Sequence, residues 1–324
     1  MGKLPGQNGC EEAQNSVQMT VSNIPVTQKP RTFYYRGAAI TVIETGHPGA
    51  VESTIEQTLA AAAFGSCPGA WPLPTATTPH QLWLRAVAAG GQGRYSCAYS
   101  DLASLRRRVP TGPLASLAHS TQASFLRQLG WHTRARGWDG RALALAGTDP
   151  EARADALVGL AADALGVGRL AASAELLARA DSALQGAHLP ALVADRLAVR
   201  RRWVAAELAL AAGDGATAVR HAETAVQLAR AMASASARHR VKSAVVLAAA
   251  LCSAGAIGRA RAVAEAALED TGRFRLIPLR WALTCLLIDI GSVTLRAQEL
   301  RELAEIRDIC AGQVRHTGGS WRTA

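Results

Sequence analysis

An all-α solenoid of helical hairpins, preceded by an irregular N-terminal segment, is the fold that the sequence predicts. Three observations predict it. Ala supplies 68 of the 324 residues, and all but three of the 35 basic residues are Arg; both rank high in helix propensity. Glycines recur at intervals of 37, 38, 45 and 42 residues, at Gly93, Gly130, Gly168, Gly213 and Gly255. Each Gly carries the same columns around it. Seven residues before it stands Ala86, Ala123, Ala161, Ala206 or Ala248. Five after it stands Ala98, Ala135, Ser173, Ala218 or Ala260, and seven further on Leu105, Ala142, Ala180, Ala225 or Ala267. A helix ends well at Gly, which enters the left-handed region without penalty. A short turn then sends the next helix back antiparallel, and small side chains let the two helices touch.

The elements follow in order. Residues 1–30 are polar, Gly/Pro-rich and without periodicity, and are expected to be disordered or to lie upstream of the true start, with Met19 the alternative. Within the irregular segment 31–78, residues 31–44 (RTFYYRGAAITVIE) gather β-branched and aromatic side chains and read as a strand. Residues 50–64 read as a helix, and the Pro/Thr-rich stretch 68–80 as a linker. From residue 79 to 314 helical segments alternate with the Gly turns. A sixth turn at Gly291 comes 36 residues after Gly255, and there the columns give way to Thr284 and Arg296, as in a terminal capping unit. The last helix sets Leu295, Leu300, Leu303, Ile306, Ile309 and Cys310 on one stripe against Glu and Arg on the other. This stripe caps the open end of the stack or forms a dimer contact. Residues 315–324 are expected to be a flexible tail.

The first unit carries the clearest family likeness. Leu82, Ala86, Gly93, Tyr95 and Ala98 fall roughly where tetratricopeptide (TPR) repeats place a helix-A hydrophobe, a small residue, the turn Gly, an aromatic and the helix-B Ala. Residues 79–290 therefore resemble TPR repeats, in units longer than the usual 34 residues and with the closing Pro missing apart from Pro150. The resemblance implies a right-handed solenoid whose concave surface holds an extended peptide or a partner helix. It also implies that inner-surface residues come from the first helix of each hairpin. Arg85, Gln122, Arg202 and Lys242 are the partner-binding residues expected on that logic.

Composition narrows the function. A net charge of +10, 49% hydrophobic residues and a mean hydropathy of +0.08 exclude a wholly disordered chain. The apolar run Ala244–Cys252 is too short to span a bilayer, and no apolar stretch follows Lys3 as in a secretory signal. The expected setting is cytoplasmic, with no membrane partner. The six cysteines lie more than four residues apart, which removes C-x-x-C redox and paired zinc signatures. Walker A, H-E-x-x-H, G-x-S-x-G and EF-hand patterns are absent from the sequence. No catalytic, metal or cofactor residue is therefore expected. Glu44 and His47 are the one pair that keeps an enzyme reading in view.

Arg residues cluster at 106–108, at 134, 136 and 141, at 196 and 200–202, and at 238 and 240 together with Lys242. Such clusters read either as an ordinary solvated surface or as the footprint of an anionic partner. The leading expectation is a non-enzymatic scaffold or adaptor that binds a protein or peptide partner in the groove. The rival is a nucleic-acid-associated or transcription-associated regulator that uses an Arg-rich face.

Overall fold

A computed structural model describes residues 48–291 and 296–322. The strand expected at 31–44, the expected disorder of 1–30 and the Glu44/His47 pair lie outside them. Among the described residues the protein is all-helical, with thirteen helices and no strand. Helix α1 (Pro48–Phe64) is followed by six consecutive pairs. They are α2 (Pro79–Gly91) with α3 (Tyr95–Arg108), α4 (Pro113–Gln128) with α5 (His132–Leu145), and α6 (Pro150–Gly166) with α7 (Leu170–Leu184). Then come α8 (Ala191–Ala211) with α9 (Gly215–Ala231), α10 (Ala237–Ser253) with α11 (Ile257–Arg273), and α12 (Ile277–Gly291) with α13 (Ala297–His316). Each helix packs against its neighbours in the chain, and the first helices of successive pairs also touch one another.

The glycine periodicity has a direct structural cause. Gly93, Gly130, Gly168, Gly213 and Gly255 all take φ between +75° and +86°. At each of these turns the same reverse bond closes the first helix: Arg94 N–H to Ala89 O, Trp131 to Leu126, Arg169 to Ala164, Asp214 to Ala209 and Ala256 to Leu251, all 2.8–2.9 Å. This is the Schellman closure, in which a residue at positive φ lets the next N–H reach back to a carbonyl that the helix leaves unsatisfied. The next helix starts at once and must run back along the first. The fifteen column residues that flank these glycines are all buried, with at most 4% of any of them exposed. All but Leu105 are small because they sit where paired backbones approach most closely. The sixth junction, after Gly291, falls at residues outside the description.

Capping sets the phase of the early helices. Thr78 accepts from Gln81 N–H while the Gln81 side chain accepts from the backbone N–H of Thr78, a reciprocal capping box with Pro79 at the first helical position. Asp149 and Asp214 cap α6 and α9 through Ala152 N–H and Thr217 N–H.

Two segments outside the repeats are tied to them. The Pro/Thr-rich stretch is pinned across α2 and α3: Gln92 donates to the carbonyls of Pro68 (2.8 Å) and Ala70 (2.9 Å), and Arg108 to that of Thr77 (3.1 Å). The residues expected to form a tail are bonded to the first two pairs. Ser96 N–H donates to Thr317 O (2.8 Å), Trp131 Nε1 to Ser320 O (2.6 Å) and Arg322 N–H to Leu129 O (2.9 Å). Trp321 packs on Trp281 with ring centroids 4.3 Å apart. In the other direction Ala237 N–H donates to Gly65 O (3.1 Å). The two ends of the array therefore meet. Of the stripe expected on α13, Cys310 is buried, Leu300, Leu303 and Ile306 are half-buried and Ile309 is 52% exposed, while Leu295 lies outside the described residues.

Gly90 and Gly140 give a paired test of this packing. A Cβ at Gly90 would overlap the Phe125 ring, whereas one at Gly140 on α5 meets nothing within 4 Å. Gly90→Ala is expected to cost about 1–3 kcal/mol through overpacking. Gly140→Ala is expected to gain about 0.5–1 kcal/mol through helix propensity. Urea unfolding midpoints of the two variants measure both effects, and their opposite signs distinguish packing from propensity.

Candidate functional site

The first helices of the six pairs share one cavity of about 310 Å³. Trp83, Val87 and Gly91 line it from α2, Ser124 and Arg127 from α4, and Asp155 and Val158 from α6. Arg196, Arg200, Trp203 and Glu207 line it from α8, Arg238, His239 and Lys242 from α10, and Leu279 and Trp281 from α12. Phe64, at the end of α1, and Trp321 and Arg322, beyond α13, complete the wall. Of the second helices, only α5 contributes, through its first residue, His132. The volume lies at the lower end of the range for small-ligand sites.

Helical phase explains which residues reach it. On α8 the spacing from Arg196 through Arg200 and Trp203 to Glu207 is 4, 3 and 4, one face of a helix. Of the four residues expected from sequence, the cavity takes in Lys242. Arg85 stands two residues from both Trp83 and Val87, hence about 200° round the helix from each, and forms a two-pronged bond to Asp101 on α3 at 2.8 and 2.6 Å. Gln122 is similarly out of phase with Ser120 and Ser124. It borders a second, smaller hollow with Tyr99, Trp131 and Trp138. Arg202 turns to α9, where it meets His221 Nδ1 at 3.1 Å. The residues not expected from sequence are Phe64, Trp83, Arg127, Asp155 and Trp203, along with the inward turn of Arg196, Arg200 and Arg238. The 4-3-4 spacing on α8 is the sequence signal that identifies Arg196, Arg200 and Trp203 among them.

The Arg clusters do not share one face. Arg196, Arg200 and Arg238 turn into the cavity, whereas Arg201 pairs with Asp181 on α7. Arg106 lies over the Trp138 ring at 4.9 Å and Arg134 over Trp131 at 5.2 Å, while Arg107, Arg108, Arg136 and Arg141 are exposed.

Buried ion pairs brace the wall. Arg196 donates to Asp155 (2.7 Å) and Glu151 (2.6 Å), and Arg200 also donates to Asp155. Lys242 pairs with Glu207 at 3.1 Å. Arg127 bonds both Asp139 (2.8 Å) and Asp163 (2.6 Å), and Ser120 donates to Asp139 (3.0 Å). A single guanidinium between two buried carboxylates cannot neutralise both. Burial is the largest influence on Asp139 and raises its carboxyl to about 7; Arg127 opposes the rise and Asp163 adds to it. Asp163 is raised too, again chiefly by burial.

Arg238 differs from the other cations that the first helices bring to the cavity. Among the described residues no carboxylate pairs with it; it donates to the Val87 carbonyl (3.2 Å) and lies 5.8 Å over the Phe64 ring. Burial pushes its pKa down to about 10, and the neighbouring Arg200 and Arg196 push it the same way. His239, with 1% exposed, stacks on Trp203 at 5.3 Å and meets Ser236 Oγ at 2.8 Å. Burial, then Arg238 and its fellow arginines, hold this imidazole well below its usual pKa, so it is neutral at pH 7.

Two of the thiols are quiet. Burial raises Cys285 to about 12 and raises Cys310 as well, away from the thiolate form that reacts. Among the described residues no group of three His, Cys, Asp or Glu side chains is placed to hold a metal ion. No described helix is long and apolar enough to cross a membrane. No protein-family model matches the chain, and no curated protein matches its sequence significantly.

The Asp139 shift carries a pH signature. An unfolded Asp titrates near ~3.9, so between about 4 and 7 the folded protein holds a proton that the unfolded chain releases. Stability therefore falls as pH rises across that window and levels off above it. His239 acts oppositely: its depressed pKa costs stability as pH falls below about 6.5. Comparison with Asp139→Asn isolates the first effect. Urea midpoints at pH 5 and pH 8 are expected to show the variant gaining on the wild type at the higher pH.

Proposed function

We propose that this protein is a non-enzymatic binding module, a right-handed TPR-like solenoid that takes a short peptide segment into its interior cavity and so acts as a scaffold or adaptor. The observation that carries this reading is the lining itself. Six consecutive first helices each present side chains to one cavity, while the second helices form the outer layer. Stacked hairpins use their inner surface in this way to hold a chain across several units. The aromatic groups Phe64, Trp83 and Trp203 offer apolar area, and the guanidinium and ammonium groups offer donors to peptide carbonyls and acidic groups. The limited volume favours a few residues of extended chain over a whole partner helix.

A nucleic-acid reading draws less support, because the Arg clusters divide between the cavity, pairings on the outer helices and scattered exposed positions. Phosphate-backbone binding gains from basic residues gathered along one face.

Ser124 borders the cavity from α4, and Ser124→Trp would fill it while leaving the fifteen buried column residues unchanged. In a tagged pull-down from native lysate, one half treated with nuclease, a discrete protein partner is expected to survive nuclease with the wild type and to be lost with Ser124→Trp. Capture that disappears with nuclease and high salt would overturn the peptide reading in favour of nucleic acid.

A further inference from the structure

Four groups at one end of the cavity make a cationic corner: Arg238, Arg200, Arg196 and, one helical turn beyond Arg238, Lys242. Three of them have carboxylate partners in the wall. Arg196 is held by Glu151 and Asp155, Arg200 by Asp155, and Lys242 by Glu207. Arg238 is the surplus. It is half-buried rather than sealed, so its guanidinium keeps access to the cavity. The fold makes room for it. Gly91 faces it, and a Cβ there would stand 3.1 Å from Arg238 Nη1. A guanidinium has five donors, and among the described residues Arg238 spends one, on the carbonyl of Val87. Holding a partly desolvated cation beside two others with no counter-charge costs stability. An anion arriving in the cavity would recover that cost and would meet donors in the planar geometry that suits carboxylates. The same guanidinium lies over Phe64, which packs on Trp83 with ring centroids 5.4 Å apart. Apolar surface and an unsatisfied cation are therefore side by side.

We infer that the peptide taken by the cavity presents an acidic side chain to Arg238, next in sequence to an aromatic or large aliphatic residue that packs against Phe64, Trp83 and Trp203. This inference rests on the reading of the cavity as a peptide site. Arg200 and Lys242 extend the positive field but keep their own partners, so Arg238 is the group that discriminates. A neutral isostere of the acid would leave the surplus charge uncompensated.

The test is selection of a phage-displayed heptapeptide library, fused at its C-terminus to the coat protein, on the full-length wild type. Clones that also bind Ser124→Trp are discarded. The expected result is enrichment of Asp or Glu beside Trp, Phe, Tyr or Leu. A synthetic peptide from that set should lose affinity at least about tenfold when its acid is changed to the amide, as befits a charge-assisted bond. Arg238→Gln should cause a similar loss, and Arg238→Lys a smaller one. Arg238→Gln should also unfold at the same or a higher urea concentration than the wild type, since it removes an uncompensated charge; a purely structural arginine would give the reverse. The acid-to-amide exchange is made on the peptide, so it holds whatever a variant does to folding. Cavity-dependent peptides without an acidic residue, or with affinity indifferent to the exchange, would overturn this inference and leave the peptide reading standing. Failure to enrich any cavity-dependent peptide would overturn both.

Discussion

The close approach of paired helices at their Ala and Gly columns is the constraint on which the rest of the structure depends. A turn closed by a Schellman bond leaves no slack between the two helices of a pair. Their backbones then pack at a distance that only small side chains allow, and the buried columns at Ala86, Ala98, Ala123 and their equivalents meet that demand. Once those positions are fixed, each first helix has one face committed to its partner and another left for the interior. The cavity is the sum of those remaining faces. Its charged and aromatic character comes from positions that the pairing does not use, such as Trp83, Arg200 and Arg238.

Buried charge is the second organising element. Arg127 on α4 and Arg196 and Arg200 on α8 pair with buried carboxylates that come from α5 and α6. Such bridges contribute less net stability than their geometry implies, because desolvation offsets most of the attraction. They do fix which helix faces which, since a slipped register would strand an uncompensated charge. Gly159 belongs to the same arrangement: a Cβ there would collide with the Asp139 carboxylate. The net result is a set of first helices with their carboxylates tied back and, among the described residues, one cavity-lining guanidinium of those helices, Arg238, without a carboxylate. That asymmetry ties the electrostatics of the fold to the proposed preference for an acidic ligand.

The ends of the molecule add a restraint that a simple open stack lacks. Ala237 N–H at the start of α10 reaches the carbonyl of Gly65 after α1, and Arg322 and Thr317 reach Leu129 and Gly93. Trp321 adds its ring to Trp281 at the edge of the cavity. Contacts over such sequence separations hold the interior faces of early and late pairs in a fixed relation. A ligand in the cavity thus meets a largely formed site, which lowers the ordering cost of binding.

The helical class, the hairpin boundaries and the close-packed columns were legible in the sequence because they are local. Gly at positive φ and Ala at a helix crossing are dictated within a span of about two turns of helix on either side. The cavity was legible only in outline. Assigning the inner surface to the first helix of each pair follows from the repeat, and Lys242, one of the residues so assigned, does line the cavity. It does not fix the phase within that helix, so Arg85, Gln122 and Arg202 were expected inward, whereas their contacts run to Asp101, the second hollow and His221. Two residues along a helix reverse the direction of a side chain, and the choice depends on where the partner helix sits. Nor does local sequence show that the last residues lie against the first hairpins, since Thr317 and Gly93 are neighbours only through the accumulated curvature of six pairs. The sequence by itself determined which residues turn, which pack and which carry charge. Tertiary structure alone decided which of those charges face one another and that, among the described residues, Arg238 is the cavity-lining cation of the first helices without a carboxylate partner, because that balance is a property of helices distant in the chain.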